Sequence, residues 1–287
     1  MRARPRQRLP RQRPPLRLGA RPPQSPGRES PVSTPTAPPP PRPSGVREVI
    51  GYNWPLYAAG LGATAAGLAL APHLPRIPAA LARTGALTAA ALLAGSTAAS
   101  WWVYDRSALH SLDWLGDLLP DGPGDHLVIA TGLDETSRTL SERHPRTRQQ
   151  IVDLYDPALT TEGSIRRARR RVPPRPGTLP GHPSRLPVAT ASQHTVFAVF
   201  AAHELRLAPD REALFAEITR TLRPGGTLVL VEHLRDGPNT AAFGPGAWHF
   251  MPRREWLRLA RGAGLHAVAE TKIATLVTAF TFRRSSA

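Results

Sequence analysis

The sequence predicts an α/β domain, a mainly parallel sheet with helices on both faces, preceded by a two-helix hydrophobic hairpin and a disordered Arg/Pro-rich tail. Three observations carry this. From about Asp105 onward, short apolar runs alternate with helix-spaced segments, as in sheets built with crossover helices. The stretch Arg220-Thr-Leu-Arg-Pro-Gly-Gly-Thr-Leu-Val-Leu-Val-Glu-His233 reads as a helix end, a forced stop and a buried strand. Two long stretches without charge lie ahead of Asp105.

The tail comes first. The 287 residues carry a formal charge of +16, and residues 1–50 hold eleven Arg against two Glu. Many of the 33 prolines fall there too, with the run Pro38-Pro39-Pro40-Pro41 the densest part. Such a segment buries too little apolar surface to offset its ordering entropy, so residues 1–45 are expected to be disordered. An Arg-rich tail can hold phosphates by counterion release. This one lacks interleaved aromatics for base stacking, and no nucleic-acid-binding module follows it. A solvated or lipid-facing tail is the expectation, and a translation start near Val46 is the alternative. Lys272 is the only lysine, which makes the arginine content a sign of coding bias in a GC-rich bacterial genome. The absence of cysteine excludes disulfides, thiolate metal sites and cysteine nucleophiles.

Residues 46–104 form the expected hairpin. No charge occurs between Glu48 and Arg76, and a second uncharged stretch runs from Thr84 to Tyr104. Each can cross a hydrocarbon core of about 30 Å as a helix. Trp54, Tyr57, Trp101, Trp102 and Tyr104 stand where interfacial aromatics belong. Their Ala and Gly content suits close helix packing, in a membrane or as a soluble hairpin. The linker from Pro72 to Pro78 has the proline content of a turn. Arginines flank both outer ends, so the termini are expected on the cytoplasmic side of a bacterial membrane.

Residues 105–287 form the α/β domain. Strands are expected at His126 to Thr131, Gln150 to Tyr155, Thr195 to Ala202 and Thr227 to Val231, with a terminal antiparallel pair at Val268 to Ile273 and Leu276 to Arg283. Helices are expected at Glu135 to Arg143, Asp210 to Leu222 and Arg253 to Ala263. Pro224 cannot continue a helix, and Gly225-Gly226 offer left-handed backbone to close one. The carboxyl edge of such a sheet is where ligands bind. It carries His203 and Glu204 after one strand and Glu232 and His233 on the next, with His249 able to fold over them.

The wording L-R-P-G-G-T-L-V-L-V-E resembles the late helix–strand unit of class I S-adenosylmethionine-dependent methyltransferases. The segments Tyr104-Asp105-Arg106-Ser107, Gly132-Leu133-Asp134-Glu135-Thr136-Ser137, Tyr155-Asp156-Pro157 and Val231-Glu232-His233-Leu234-Arg235-Asp236 resemble a bacterial subgroup with a hydrophobic N-terminal region. The resemblance covers about residues 105–284 and implies a Rossmann-like sheet whose last strand is reversed. It further implies S-adenosylmethionine bound by the loop Thr131, Gly132, Leu133 and Asp134, which stands in for a glycine-rich G-x-G-x-G loop. Asp156, or Asp153 if the strand is shifted, would take the ribose hydroxyls, and His203 would line the cofactor pocket.

His203 and His233 are the candidate catalytic residues, since a histidine serves where the acceptor must first lose a proton. A phenol or enol on a hydrophobic small molecule is such an acceptor. No metal is expected: His203-Glu204 is not followed by a histidine at the interval of a zinc-binding helix. The cluster Arg166-Arg167-Ala-Arg169-Arg170-Arg171 reads as a solvated helix face or a contact for anionic headgroups. A non-catalytic binding or scaffold module is the second reading, since bulky Leu133 and acidic Asp134 replace small residues.

Overall fold

The computed structural model describes residues 45–158 and 160–286. The disordered tail expected over residues 1–45 lies outside the described residues up to position 44. The described part opens with a helix that sequence reading missed, α1 (Gly45–Tyr52). Asp105 holds its start: one carboxylate oxygen accepts from Gly45 N at 2.9 Å and the other from Val46 N at 2.8 Å. Those are orphan donors of a first helical turn, so the carboxylate caps α1 from sixty residues away in sequence.

The hairpin follows as α2 (Trp54–Leu70), a 3₁₀ turn (Ala71–His73) and α3 (Arg76–Trp101), which ends in a π turn at Trp102–Arg106. The connecting turn is shorter than the expected Pro72–Pro78 linker. Pro78 falls in the first turn of α3, where a missing N–H forfeits no intrahelical bond. Small residues let the two helices touch: a Cβ placed on Gly67 would lie 2.9 Å from both Ala82 O and Ala86 Cβ. Thr64 ties itself to Gly60 O at 2.8 Å. The segments Trp54–His73 and Arg76–Arg106 are both long and apolar enough to cross a membrane, and little of either is buried. Leu56, Leu61, Ile77, Leu81 and Leu87 all stand exposed.

A short helix α4 (Leu115–Leu118) leads into the sheet domain. Its elements are β1 (His126–Ala130), α5 (Ser137–Arg143), β2 (Gln149–Asp153), α6 (Gly163–Arg171), β3 (Leu179–Pro180), β4 (Gln193–Val199), α7 (Ala208–Thr221) and β5 (Leu222–His233). Then come α8 (Gly237–Phe243), α9 (Arg253–Gly262), β6 (Leu265–Ala274) and β7 (Val277–Arg284). The seven strands run in the order β3-β2-β1-β4-β5-β7-β6. β1 to β5 pair in parallel, whereas β7 is antiparallel to both β5 and β6. This is the expected reversed last strand.

Two boundaries differ from the sequence expectation for physical reasons. The helix before the Pro-Gly-Gly segment stops at Thr221, and β5 begins at once with Leu222 paired to Gln193. The pairing then jumps to Thr195↔Thr227, so Arg223 to Gly226 form an irregularity within the strand and not a loop before it. Gly225 supplies the left-handed residue this needs, at φ 76°. Likewise β2 ends at Asp153, two residues short of Tyr155, and that moves the strand-tip acid from Asp156 to Asp153.

The central strands β1, β4, β5 and β7 are buried on both faces, whereas the edge strands β3 and β6 are largely exposed. One side packs Leu127, Val196, Leu228, Leu230 and Phe280 against Phe215, Ile218 and Trp256 of α7 and α9. The other packs Val128, Phe197, Val229 and Val231 against Leu109, Leu112 and Trp114, the residues that follow the hairpin. The continuous apolar run of β5 is therefore explained by cover on both sides. Leu230→Ala, at a fully buried position of β5, is expected to lower stability by about 2–5 kcal/mol in urea denaturation, with the secondary structure kept.

Candidate active site

Glu232 sits at the tip of β5 and is fully buried. One of its oxygens accepts from the backbone N–H groups of Ala202 and His203, both at 3.2 Å. The other meets His203 Nδ1 at 2.6 Å. The carboxylate thus caps the 3₁₀ turn Ala202–Glu204 that follows β4 and fixes the His203 ring. On its other edge, His203 Nε2 lies 3.2 Å from Glu204 Oε1. Burial by itself would push His203 down, but Glu232 and Glu204 outweigh it and hold the imidazole up at about 10. Glu204 answers in the opposite sense: burial would raise it, and the hydrogen bonds from His203 and His249 bring it down to about 2. His249, from the 3₁₀ segment Gly244–His249, does fold over this edge, with Nε2 3.8 Å from Glu204 Oε1.

His233 is a different kind of histidine. Its ring lies between two phenyl rings, stacked on Phe200 at 4.9 Å and on Phe250 at 4.8 Å. Phe200 takes up this position with a left-handed backbone, φ 51°, a costly conformation for a bulky residue and one typical of functional loops. His233 Nδ1 lies 2.8 Å from the Leu276 carbonyl, which can only accept, so Nδ1 carries the proton. Nε2 is then an unprotonated acceptor, 3.4 Å from the Tyr104 hydroxyl. Burial, aided by the charge of His203, lowers this imidazole to about 4, while the Leu276 contact opposes the shift.

The loop after β1 supplies the third wall. Thr131 donates its hydroxyl to Ala201 O at 3.0 Å, joining the loops after β1 and β4. Gly132, at φ 85°, donates its N–H to Asp153 Oδ1 at 2.9 Å. A side chain here would collide with Ile165 of α6, 2.5 Å from a Cβ position, so glycine serves close packing against Tyr155 and Ile165. Asp134 turns away to cap α5, accepting from Thr136 N and Ser137 N. Asp156 closes a turn by accepting from Ala158 N. Asp153 is the buried acid beside Gly132, and its second oxygen pairs with Arg169.

These walls enclose a cavity of about 490 Å³. Thr131, Leu133, His203 and His233 line it, whereas Gly132, Asp134 and Asp156 do not. Its far wall is the hairpin: Tyr57 of α2, and Leu92, Leu93, Ser96 and Ser100 of α3. Sequence reading missed Glu135, which also lines the cavity. Burial, then the nearby carboxylates of Glu48 and Asp134, push it up to about 7. It was overlooked because the sequence expectation made it the first residue of a helix, whereas α5 begins at Ser137 and leaves Glu135 in the loop. Of the arginines on α6, Arg167 bonds Tyr52 O, Arg169 pairs with Asp153 and Arg171 lies over the Tyr52 ring at 5.8 Å. Arg166 and Arg170 stay exposed.

Residues 131–230 match a family model described as a methyltransferase domain. Similar solved structures include a SAM-dependent methyltransferase from Aquifex aeolicus, 16% identical with TM-score 0.46, covering 62% of this chain and 93% of that one. The N-methyltransferase NodS from Bradyrhizobium japonicum, solved with S-adenosyl-L-homocysteine, is 15% identical with TM-score 0.43, over 64% of this chain and 91% of that one. An O-methyltransferase family 2 protein from Planctomyces limnophilus, in complex with apigenin, is 15% identical with TM-score 0.46, over 72% and 69% of the two chains. No curated protein matches the sequence. The domain match over residues 131–230, joined to the sheet order, fits a Rossmann-like methyltransferase fold and supports S-adenosylmethionine as the cofactor.

Glu135 makes stability depend on pH. Folded, it keeps its proton up to about pH 7, while the unfolded chain releases its proton near 4.5. Between those values the folded state binds more protons, so stability falls as pH rises and then levels. Glu135→Gln is expected to gain up to about 3 kcal/mol on the parent across that window, with no further gain above it, in denaturation series at stepped pH.

Proposed function

We propose that this protein is a membrane-tethered S-adenosylmethionine-dependent methyltransferase acting on a hydrophobic small molecule with an ionisable hydroxyl, at the cytoplasmic face of a bacterial membrane. The observation that carries this reading is the shared cavity wall. The apolar hairpin and the strand tips that bear Thr131, His203 and His233 line one cavity. An acceptor drawn from the bilayer would meet Leu56, Leu92 and Leu93 with its apolar part. Exposed Arg166 and Arg170 are free to meet anionic headgroups.

The acids lining the cavity fit the cofactor in charge. Thr131, Leu133 and Glu135 on one side and His203 on the other would hold it. Glu135 and Glu48 are both raised, foremost by burial. A sulfonium or ammonium beside them favours their ionised form, so cation and site stabilise each other. When bound, S-adenosylmethionine supplies a methyl group already activated by the sulfonium, which leaves positioning as the main task of the protein. His233 is placed to take the acceptor's proton at Nε2, next to the Tyr104 hydroxyl. His203, held up by two carboxylates, contributes a charged wall.

One observation favours a second reading, a non-catalytic binding or scaffold module. The space beside Gly132 is filled by Ile165 and Tyr155, and Asp153 is engaged by Arg169. A ribose can reach Asp153 only if Arg169 swings away.

Titration calorimetry of the full chain in detergent separates the two. S-adenosylmethionine is expected to bind well below millimolar, and Arg169→Ala to strengthen binding by freeing Asp153; no binding to either protein at millimolar cofactor would overturn the enzyme reading. With a phenolic amphiphile as acceptor, His233→Ala is expected to lower kcat by about 10²–10⁴ while cofactor affinity stays unchanged.

A further inference from the structure

We propose that His203, Glu204 and His249 form a binding site for a divalent first-row transition-metal ion. The three residues offer ligand atoms that all lie within 4.8 Å of one another. His203 Nε2 is 3.2 Å from Glu204 Oε1, and His249 Nε2 is 3.8 Å from the same oxygen. Ligands held about 2.0–2.2 Å from a tetrahedral ion stand roughly 3.5 Å apart, so small side-chain rotations close the set.

Three further observations point to a cation. The Glu204 side chain is only 8% exposed, yet its Oε2 is buried without a hydrogen-bond partner. An unpaired carboxylate oxygen in that position is costly unless a ligand meets it. Next, each imidazole turns its far nitrogen to a carboxylate: His203 Nδ1 to Glu232 Oε2 at 2.6 Å, and His249 Nδ1 to Glu162 Oε1 at 3.6 Å. A carboxylate behind the ring is how proteins orient metal-binding histidines; at His203 the ion would displace the Nε2 proton of the imidazolium, and at His249 the 3.6 Å contact is electrostatic. Finally, three carboxylates, Glu162, Glu204 and Glu232, converge here against two cations, His203 and the Arg206 guanidinium that bonds the His203 and His249 carbonyls, and a divalent ion replacing the His203 proton takes up the remaining negative charge.

Two imidazoles and one carboxylate suit zinc, cobalt, iron or manganese better than magnesium or calcium, which prefer all-oxygen sets. Three protein ligands also leave coordination positions open, as in catalytic zinc sites. Those positions face the cavity, since His203, Glu204 and His249 all line it. The sequence brings these residues to one edge, but their spacing, unlike a helical His-x-x-x-His, led to the expectation of no metal. Glu204 adjoins His203, and His249 arrives from the far side of α7, β5 and α8.

The test is metal binding by the full chain in detergent after chelator treatment, read by calorimetry with Zn²⁺ and by the visible spectrum with Co²⁺. The expected result is saturable binding near one ion per chain, with a Co²⁺ spectrum of mixed nitrogen and oxygen ligation. His249→Ala, on a partly exposed ring, and Glu204→Gln are each expected to weaken binding by more than about 100-fold. Glu162→Gln should cost about 10–100-fold through the orientation of His249. Thermal melts check that the variants fold, and His249→Ala decides if Glu204→Gln does not. Absence of saturable binding to the parent, or binding that survives His249→Ala, would overturn the proposal and leave His203 and Glu204 as a buried ion pair.

Discussion

The buried carboxylate of Glu232 is the constraint on which the site depends. It sits where β5 leaves the sheet and is itself fully buried. Three donors converge on it, two backbone N–H groups and the His203 ring, as a buried carboxylate requires. The two N–H groups belong to the turn after the neighbouring strand. Glu232 therefore binds the tip of β4 to the tip of β5, and it decides that His203 points along the carboxyl edge of the sheet. Everything further out is placed relative to that ring, Glu204 on its other nitrogen and His249 beyond.

The hairpin has a structural consequence that a tether alone would not have. A tether needs only to be long and apolar. Here α3 packs on α8, with Leu92 close against Gly244, and its last turns carry Ser100 and Tyr104 to the mouth of the strand edge. α1 is clamped to the same place by Asp105 and by the arginines of α6 that reach Tyr52. An apolar element and a polar strand edge thus share one cavity. The apolar surface of the hairpin covers the polar strand edge.

The two histidines at the strand tips show how environment divides one residue type into two roles. His203 is flanked by carboxylates and held charged, while His233 is flanked by phenyl rings and held neutral. Their separation is not in their sequence neighbourhoods, His-Glu in one case and Glu-His in the other. It arises because Glu232 faces across to β4 whereas His233, one residue on, faces the opposite side of the strand, toward Phe200 and Leu276.

Local sequence by itself determined the α/β class, the strand order's alternation with helices, the reversed terminal pair and the apolar hairpin. These rest on periodicity and charge pattern, except the reversed last strand, which the family resemblance implied; Pro224 and Gly225 shape the start of β5 instead of closing the helix before it. It also placed His203, Glu204, Glu232 and His233 at one edge, because buried parallel strands deliver their last residues there. What it left open depends on contacts distant in sequence. That β2 ends at Asp153 follows from pairing with β1 and from the Gly132 N–H that this acid accepts. That Asp134 caps a helix while Glu135 enters the cavity follows from where the loop turns. That Glu204 and His249 meet follows from three intervening elements folding back. Apolar patterning specifies which face a residue buries, but the partner it finds there is set only when separate elements pack.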